Sequence, residues 1–196
     1  YSVFDDISLK GSSLSYAGKY YGLVAHGELT IINKAQVLTD ELNCLSGYCA
    51  GTLGFFVGGV VRDLTVNIPK VIYGTTEMTA GIMFLLDSDM EGYDIKLPSV
   101  KQESAQGGYF AGALYESESS SIVAVKHEVN SMDIMTGGSS FGDVSGSIKN
   151  VTSKVGTLKS DTNALYGVFR NCSGNAENIQ FEANTIESKN GSAYGF

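Results

Sequence analysis

The chain has 196 residues, 43% of them hydrophobic, which suffices for one domain with a buried core and excludes a disordered tail. The formal net charge is −8 and the 13 lysines and arginines form no cluster, which excludes a nucleic-acid surface and disfavours attraction to an anionic membrane. No apolar run reaches about 18 residues, so we expect no membrane insertion by this segment.

A glycine flanked mostly by apolar residues recurs along the whole chain and marks a repeat. Each of the first six marker glycines is followed by a second apolar strand, such as 64–66 or 123–125, and then by a third apolar position. The mean spacing is about 29 residues, and helical periodicity is missing. These features predict an all-β, right-handed parallel β-helix (a solenoid) of about six coils, covering residues 1–196 as one domain. The marker glycines are Gly22, Gly54, Gly81, Gly112, Gly142, Gly167 and Gly195.

Side-chain alternation along each strand predicts how successive coils stack. The two residues that flank a marker glycine share one strand face, which we expect to be the core face, so that the glycine points outward. The glycines would then form a column, and Tyr166 would stack on Tyr194. Both ends read as incomplete coils, so we expect a piece of a longer chain or ends that dock on a partner.

Three cysteines bear on the compartment in which the protein works. Cys44 and Cys49 lie in a predicted loop that contains glycine and serine. A small disulfide between them is sterically reasonable in an oxidising compartment, and two free thiols in a reducing compartment are the alternative. Cys172 would remain unpaired, and its alternating surroundings favour a small buried side chain over a nucleophile.

An acidic segment and a histidine are the candidates for metal or acid–base chemistry. Asp87, Asp89 and Glu91 alternate before a glycine, as in the first half of a calcium loop, so Ca²⁺ is the one cofactor that we consider. Pro98 occupies the position of the closing carboxylate, so a solvated acidic turn between coils is the alternative. We expect His127 to be an exposed strand residue and not a catalytic base.

Three segments together resemble a known bacterial repeat. They are LGFFVGGVVRDLTVNIPKVIYG, TAGIMFLL and GGYFAGALYESESSSIVAVKHEV. They resemble the GLUG-type repeat of large secreted or surface-anchored bacterial proteins, including adhesins and autotransporter-like passengers, over about residues 15–196. The segment FEANTIESKNGSAYGF also resembles repeats of polymorphic outer-membrane passengers. These resemblances imply a right-handed β-helix at a cell surface and carry no catalytic motif.

The function that we expect is a non-enzymatic rigid stalk or adhesive segment of a secreted or cell-surface protein. Its partners would be a protein or glycan ligand on a host or neighbouring cell, and the rest of a longer chain. Four aromatic residues are candidates for stacking on such a ligand: Tyr20, Phe56, Tyr109 and Tyr115.

Two other functions remain open. One is a carbohydrate-active β-helix enzyme, either a polysaccharide lyase or a glycoside hydrolase, which needs facing carboxylates in a groove. The other is a structural subunit that assembles with its own copies. The carboxylates that neighbouring coils could bring together are Asp63, Asp87, Asp89, Asp94, Glu116 and Glu118.

Overall fold

The computed structural model describes residues 2–17, 20–50, 52–80, 83–102, 110–117, 120–135, 137–161 and 164–195. Within these ranges no helix has the length and apolarity needed to span a membrane. The described strands, numbered β1 to β16, are Ser2–Ala17, Tyr20–Tyr21, Val24–Glu28, Thr30–Ala50, Leu53–Asn67, Lys70–Ala80, Met83–Lys96, Ser99–Gln102, Phe110–Ser117, Ser121–Ile134, Gly138–Val144, Ser147–Ser160, Leu165–Tyr166, Phe169–Cys172, Asn175–Ser188 and Ala193–Tyr194.

The strands pair in parallel with the segment one turn away, so the chain is an all-β parallel β-solenoid, as the repeat predicted. It has about five turns of about 28 residues each. We call each stacked segment a rung. One column of paired residues passes through the rungs in the order Phe4, Ile32, Val61, Met90, Ile122, Ile148 and Ala176.

Five rungs of the described chain are paired on both sides, and they lie between the terminal rungs of β1 and β15. The interior of these five rungs is a stack of apolar columns. Burial of each aliphatic side chain contributes roughly 1.5–3 kcal/mol, so the columns together hold the rungs in place. Two such buried columns are Ala35, Leu64, Tyr93, Val125 and Val151, and Leu42, Val71, Val100, Met132 and Leu158.

A column of left-handed residues forms one corner of every rung. Residues with positive φ align because the residues on either side of them pair, as Asp5 with Asn33 and Ile7 with Ala35. The left-handed residue bends the strand, so buried residues such as Ile32 and Ala35 lie three apart across the corner. This conformation costs an ordinary L-residue roughly 1–2 kcal/mol, whereas glycine, asparagine and aspartate adopt it more readily. The column, with φ between 51° and 75°, is Asp6, Lys34, Asp63, Gly92, Ala124, Asn150 and Asn178.

The marker glycines do not form the single outward column that was predicted. Leu53 pairs with Met83, and Met83 pairs with Leu114, so these three residues form one column. Gly54 follows Leu53 by one residue, whereas Gly112 precedes Leu114 by two residues, so the two glycines do not align. Gly112 is also buried, since a Cβ there would lie 2.4 Å from Nε2 of His127. Gly81 lies outside the described residues. Gly54 and Gly112 therefore occupy different columns, and the similar spacing of the marker glycines does not define one shared corner.

The predicted stacking of two tyrosines is confirmed. The rings of Tyr166 and Tyr194 have centroids 5.3 Å apart and planes inclined by 10°. Their backbones are paired partners in β13 and β16, so the parallel register brings the like side chains together.

We expect Ala124→Gly to raise the free energy of unfolding by about 1 kcal/mol, because glycine relieves the strain of a left-handed φ of 59°. Urea unfolding measures the change. Ala183→Gly, at an exposed position of β15 without a positive φ, is the control and should lower stability by about 0.5–1 kcal/mol. A loss of stability in both variants would contradict the corner assignment.

Candidate functional site

A shallow groove crosses the outer surface of the middle rungs, in β5, β7, β10 and β12. It consists of two depressions of about 300 and 340 Å³, which share Asp94 and Lys126. We call the combined surface the central groove. The first depression is lined by Asp94, Lys96, Lys126, His127, Glu128, Thr152 and Lys154, and the second by Asp63, Leu64, Thr65, Gly92, Tyr93, Asp94, Ala124 and Lys126.

Strand alternation presents two polar rows in the groove. The buried residues Tyr93, Ile95 and Val125 alternate with outward polar residues on β7 and β10. Pairing in register then aligns the outward residues of successive rungs, about 4.8 Å apart. One row is Thr65, Asp94, Lys126 and Thr152, and the other is Lys96, Glu128 and Lys154, with Asn67 before Lys96 in the same column.

The two rows differ in the order of their charges. Lys126 has a carboxylate neighbour, Asp94, on one side and the hydroxyl of Thr152 on the other. In the second row Glu128 is flanked by lysines in both neighbouring rungs. The groove therefore offers hydrogen-bond donors and acceptors of both charge signs at fixed spacing.

The left-handed corner opens the groove at one end. Gly92 has a φ of 75°, and a Cβ there would lie 2.7 Å from Oδ1 of Asp63. Ala124 occupies the same corner in the next rung. Because neither residue carries a long side chain, the corner is indented beside Asp94, with the Asp63 carboxylate at its rim.

The side chain of His127 lies in the interior beneath the groove. The expectation of an exposed histidine is wrong, because residue 127 shares its strand face with the buried Val125 and Val129. The imidazole is 1% exposed, and desolvation by burial lowers its pKa to about 4. Val37, Val66 and Ile95 precede it in the same column.

Serine hydroxyls provide hydrogen bonding to one nitrogen of this buried imidazole. Nδ1 of His127 lies 3.1 Å from Oγ of Ser153, which lies 2.7 Å from Oγ of Ser140. Ser140 in turn donates to the carbonyl of Gly167 at 2.8 Å. Within the described residues Nε2 has no hydrogen-bond partner, and it faces Gly112. Because His127, Ser140 and Ser153 are all buried, they cannot reach a substrate.

The structure brings together only part of what the sequence suggested for binding. Phe56 is 0% exposed, so its prediction as a stacking platform is wrong. Its ring lies against Gly27, where a Cβ would come within 2.7 Å. Tyr20 and Tyr115 lie in β2 and β9, but their side chains are outside the described part of the chain, as is all of Tyr109.

The acidic segment belongs to β7 and is not a separate loop. Asp89 accepts a hydrogen bond from the Ser121 amide at 3.1 Å, Glu91 is exposed, and the side chain of Asp87 lies outside the described part. Within the described ranges, no three histidine, cysteine or acidic side chains group to hold a metal ion. Calcium binding therefore stays a prediction without added support.

The cysteines fall in two environments. Cys44 is buried and disulfide-bonded, while Cys172 is a free, half-buried thiol that packs on the core. The side chain of Cys49, the predicted partner, lies outside the described part of the chain.

The groove was not predicted from the sequence, because residues that lie side by side in it, such as Asp94, Lys126 and Thr152, belong to different rungs and are far apart in the chain. A usable signal is the polar–apolar–polar triplet that follows the left-handed corner. In β5 this triplet is Thr65, Val66 and Asn67, and in β7 it is Asp94, Ile95 and Lys96.

The chain matches no protein-family model, no curated protein and no solved structure.

The buried histidine makes stability depend on pH. The unfolded chain takes up this proton near pH 6.5 and the folded chain only near pH 4, so stability present above pH 6.5 is lost as pH falls between these values. We expect a loss of about 2 kcal/mol between pH 7 and pH 5 that His127→Asn abolishes. Urea unfolding at both pH values measures it.

His26→Asn is the matched control. His26 is exposed and lies 3.2 Å from Glu28, so its replacement should leave the loss of stability between pH 7 and pH 5 as in the wild type. If His127→Asn retains the full loss as well, the effect belongs to the carboxylates and not to the buried imidazole.

Proposed function

We propose that the chain is a rigid, non-enzymatic binding segment of a secreted or cell-surface protein and that the central groove binds a glycan. The observation that carries this proposal is the stacking of the two polar rows of the groove on a dry, in-register core. The backbone that carries these side chains is already ordered, so binding requires no ordering of the backbone, which favours affinity.

The groove lining favours a glycan over a protein ligand. Carboxylates, ammonium groups and threonine hydroxyls can pair with the many hydroxyl groups of a sugar chain. The cores of protein interfaces, by contrast, are depleted in lysine, glutamate and aspartate and enriched in aromatic residues. Successive polar positions about 4.8 Å apart also suit an extended ligand that runs across the rungs, along the axis of the stack.

Two observations support a cell-surface or secreted location. A disulfide-bonded Cys44 suits an oxidising compartment. The resemblance of residues 53–74 to the GLUG-type repeat points to the same location. The stack has six steps between Phe4 and Ala176, which corresponds to a length of about 29 Å. Such a rod can hold the groove away from its attachment point.

A glycan array with the whole chain tests the groove. We expect Asp94→Asn combined with Lys126→Met to weaken binding at least about tenfold, because both residues line both depressions and each lost charged hydrogen bond costs roughly 1 kcal/mol or more. Asp5→Asn combined with Lys10→Met, at exposed positions of β1, is the matched control and should bind like the wild type. No glycan binding, or equal binding by both variants, would refute the proposal.

A carbohydrate-active enzyme is the second candidate, and one observation favours it: Asp63 and Asp94 line the same depression. Glycosidases use two facing carboxylates, one of them commonly a buried acid. Asp63 is exposed, which is why we favour binding over catalysis. Release of reducing ends from polysaccharides by the wild type, lost in Asp94→Asn, would select the enzyme.

A further inference from the structure

The central groove holds opposite charges side by side without joining them. Pairing in register places Lys126 of β10 beside Asp94 of β7, and Glu128 of β10 beside Lys96 of β7. Within the described part of the chain, none of these four side chains forms an ion pair. Both ammonium groups and both carboxylates of the groove are therefore free to bind a ligand.

Register neighbours of opposite charge are joined elsewhere on the same solenoid. Lys149 lies 2.9 Å from Glu177, and Lys70 lies 2.7 Å from Glu41. The backbones of these residues are paired in the same parallel manner as those of the groove residues. The strand spacing therefore permits such ion pairs, and the separation of the charges is a property of the groove.

Three lysines form a zigzag across the first depression of the groove. Lys96 and Lys154 belong to one polar row, and Lys126 belongs to the other row, in the rung between them. A strand spacing of about 4.8 Å and a rise of about 3.3 Å per residue place diagonal neighbours about 8 Å apart. Two flexible ammonium side chains at this distance can converge on one anion. Lys154 also lies 3.3 Å from Glu182, but an exposed pair of this kind is weak and yields to a ligand.

We infer, on the basis of the glycan binding proposed above, that the glycan carries carboxylate groups, as chains that contain uronic acids do. One ligand carboxylate lies between the ammonium groups of Lys96 and Lys126. Further carboxylates along the chain reach Lys154, which lies two rungs, or about 9.6 Å, from Lys96. Asp94 and Glu128 accept hydrogen bonds from the hydroxyl groups of the same sugars.

The lining favours an acidic glycan over a basic or a neutral one. Three lysines and two carboxylates line the first depression, so a ligand cation would meet more like charges than opposite charges there. Asp94 is short and half-buried, whereas Lys126 is long and exposed and can follow a ligand group. Hydrogen bonds between two charged partners are also stronger than those to a neutral hydroxyl group.

The acidic residues set an upper limit on the charge density of the ligand. Asp94 and Glu128 lie next to the lysines, so a chain with several sulfate groups on each sugar would place anions against them, and like charges repel. In the second depression Asp63 and Asp94 outnumber Lys126, which suits hydroxyl groups. The groove therefore fits a chain with isolated carboxylates and not a densely sulfated chain.

Matched pairs of glycans test the inference. Oligosaccharides of hyaluronan, alginate and polygalacturonate are compared with their carboxyl-reduced forms, which keep the sugar backbone and lose the charge. For at least one pair, we expect the carboxylate form to bind the whole chain at least about tenfold more tightly in isothermal titration calorimetry. The difference should shrink as ionic strength rises.

Protein variants locate the preference in the groove. Lys96→Met combined with Lys126→Met should remove the tenfold preference for the carboxylate form. Lys10→Met combined with Lys34→Met makes the same change in net charge at exposed positions of β1 and β4, and it should keep the preference.

A second pair of substitutions tests the limit on charge density. Asp94→Asn combined with Glu128→Gln should raise the affinity for a heparin-derived oligosaccharide at least about tenfold, because it removes the repulsion of sulfate groups. An unchanged affinity would contradict the role of these two carboxylates.

The outcomes separate this inference from the proposed function. Equal affinity of the carboxylate and neutral forms in every pair would overturn the inference while glycan binding by the groove stands. A preference that survives in the variant with Lys96→Met and Lys126→Met would also overturn it. Binding of no glycan, charged or neutral, would refute the proposed function and the inference with it.

Discussion

Parallel backbone pairing in register is the constraint on which the whole molecule depends. Each rung bonds to the next along its length, so the column of a residue decides whether it is buried, forms a corner or faces solvent. A slip of one residue would turn every side chain to the opposite face. The register therefore specifies three features together: the buried column of Val125 and Val151, the left-handed corner at Asn150 and the polar row that contains Thr152.

The groove and the buried histidine are linked through one strand. In β10, Lys126 and Glu128 face outward and His127 faces inward between them. The serines offset the desolvation of one ring nitrogen, while the other faces Gly112. A proton forced onto this imidazole would therefore loosen the same strand that supplies the central charges of the groove.

The sequence was sufficient for the architecture and insufficient for the site. Repeat length and period-two strands depend on local pattern, and they correctly predicted a parallel solenoid and the stacking of Tyr166 on Tyr194. Whether a side chain points to the interior or to solvent was predicted less well. A left-handed residue such as Ala124 has no distinctive side chain, and it interrupts the alternation of inward and outward residues at each corner. His127 was also assigned to the wrong face, although it alternates in phase with the buried Val125 and Val129, and so was Phe56. The groove depends on a register across turns of unequal length, which no single stretch of sequence contains.

Turn length varies while the columns stay aligned. Ser121 bonds to a residue 32 positions earlier, and His127 to one 26 positions later, yet both lie in the same continuous stack. Some of the extra residues enter as register shifts within the paired strands, as between Gly47 and Tyr48 and between Val57 and Val60. Such a scaffold tolerates a change in the length of one turn without losing its paired columns, so the outer surface can vary while the stacked core stays the same.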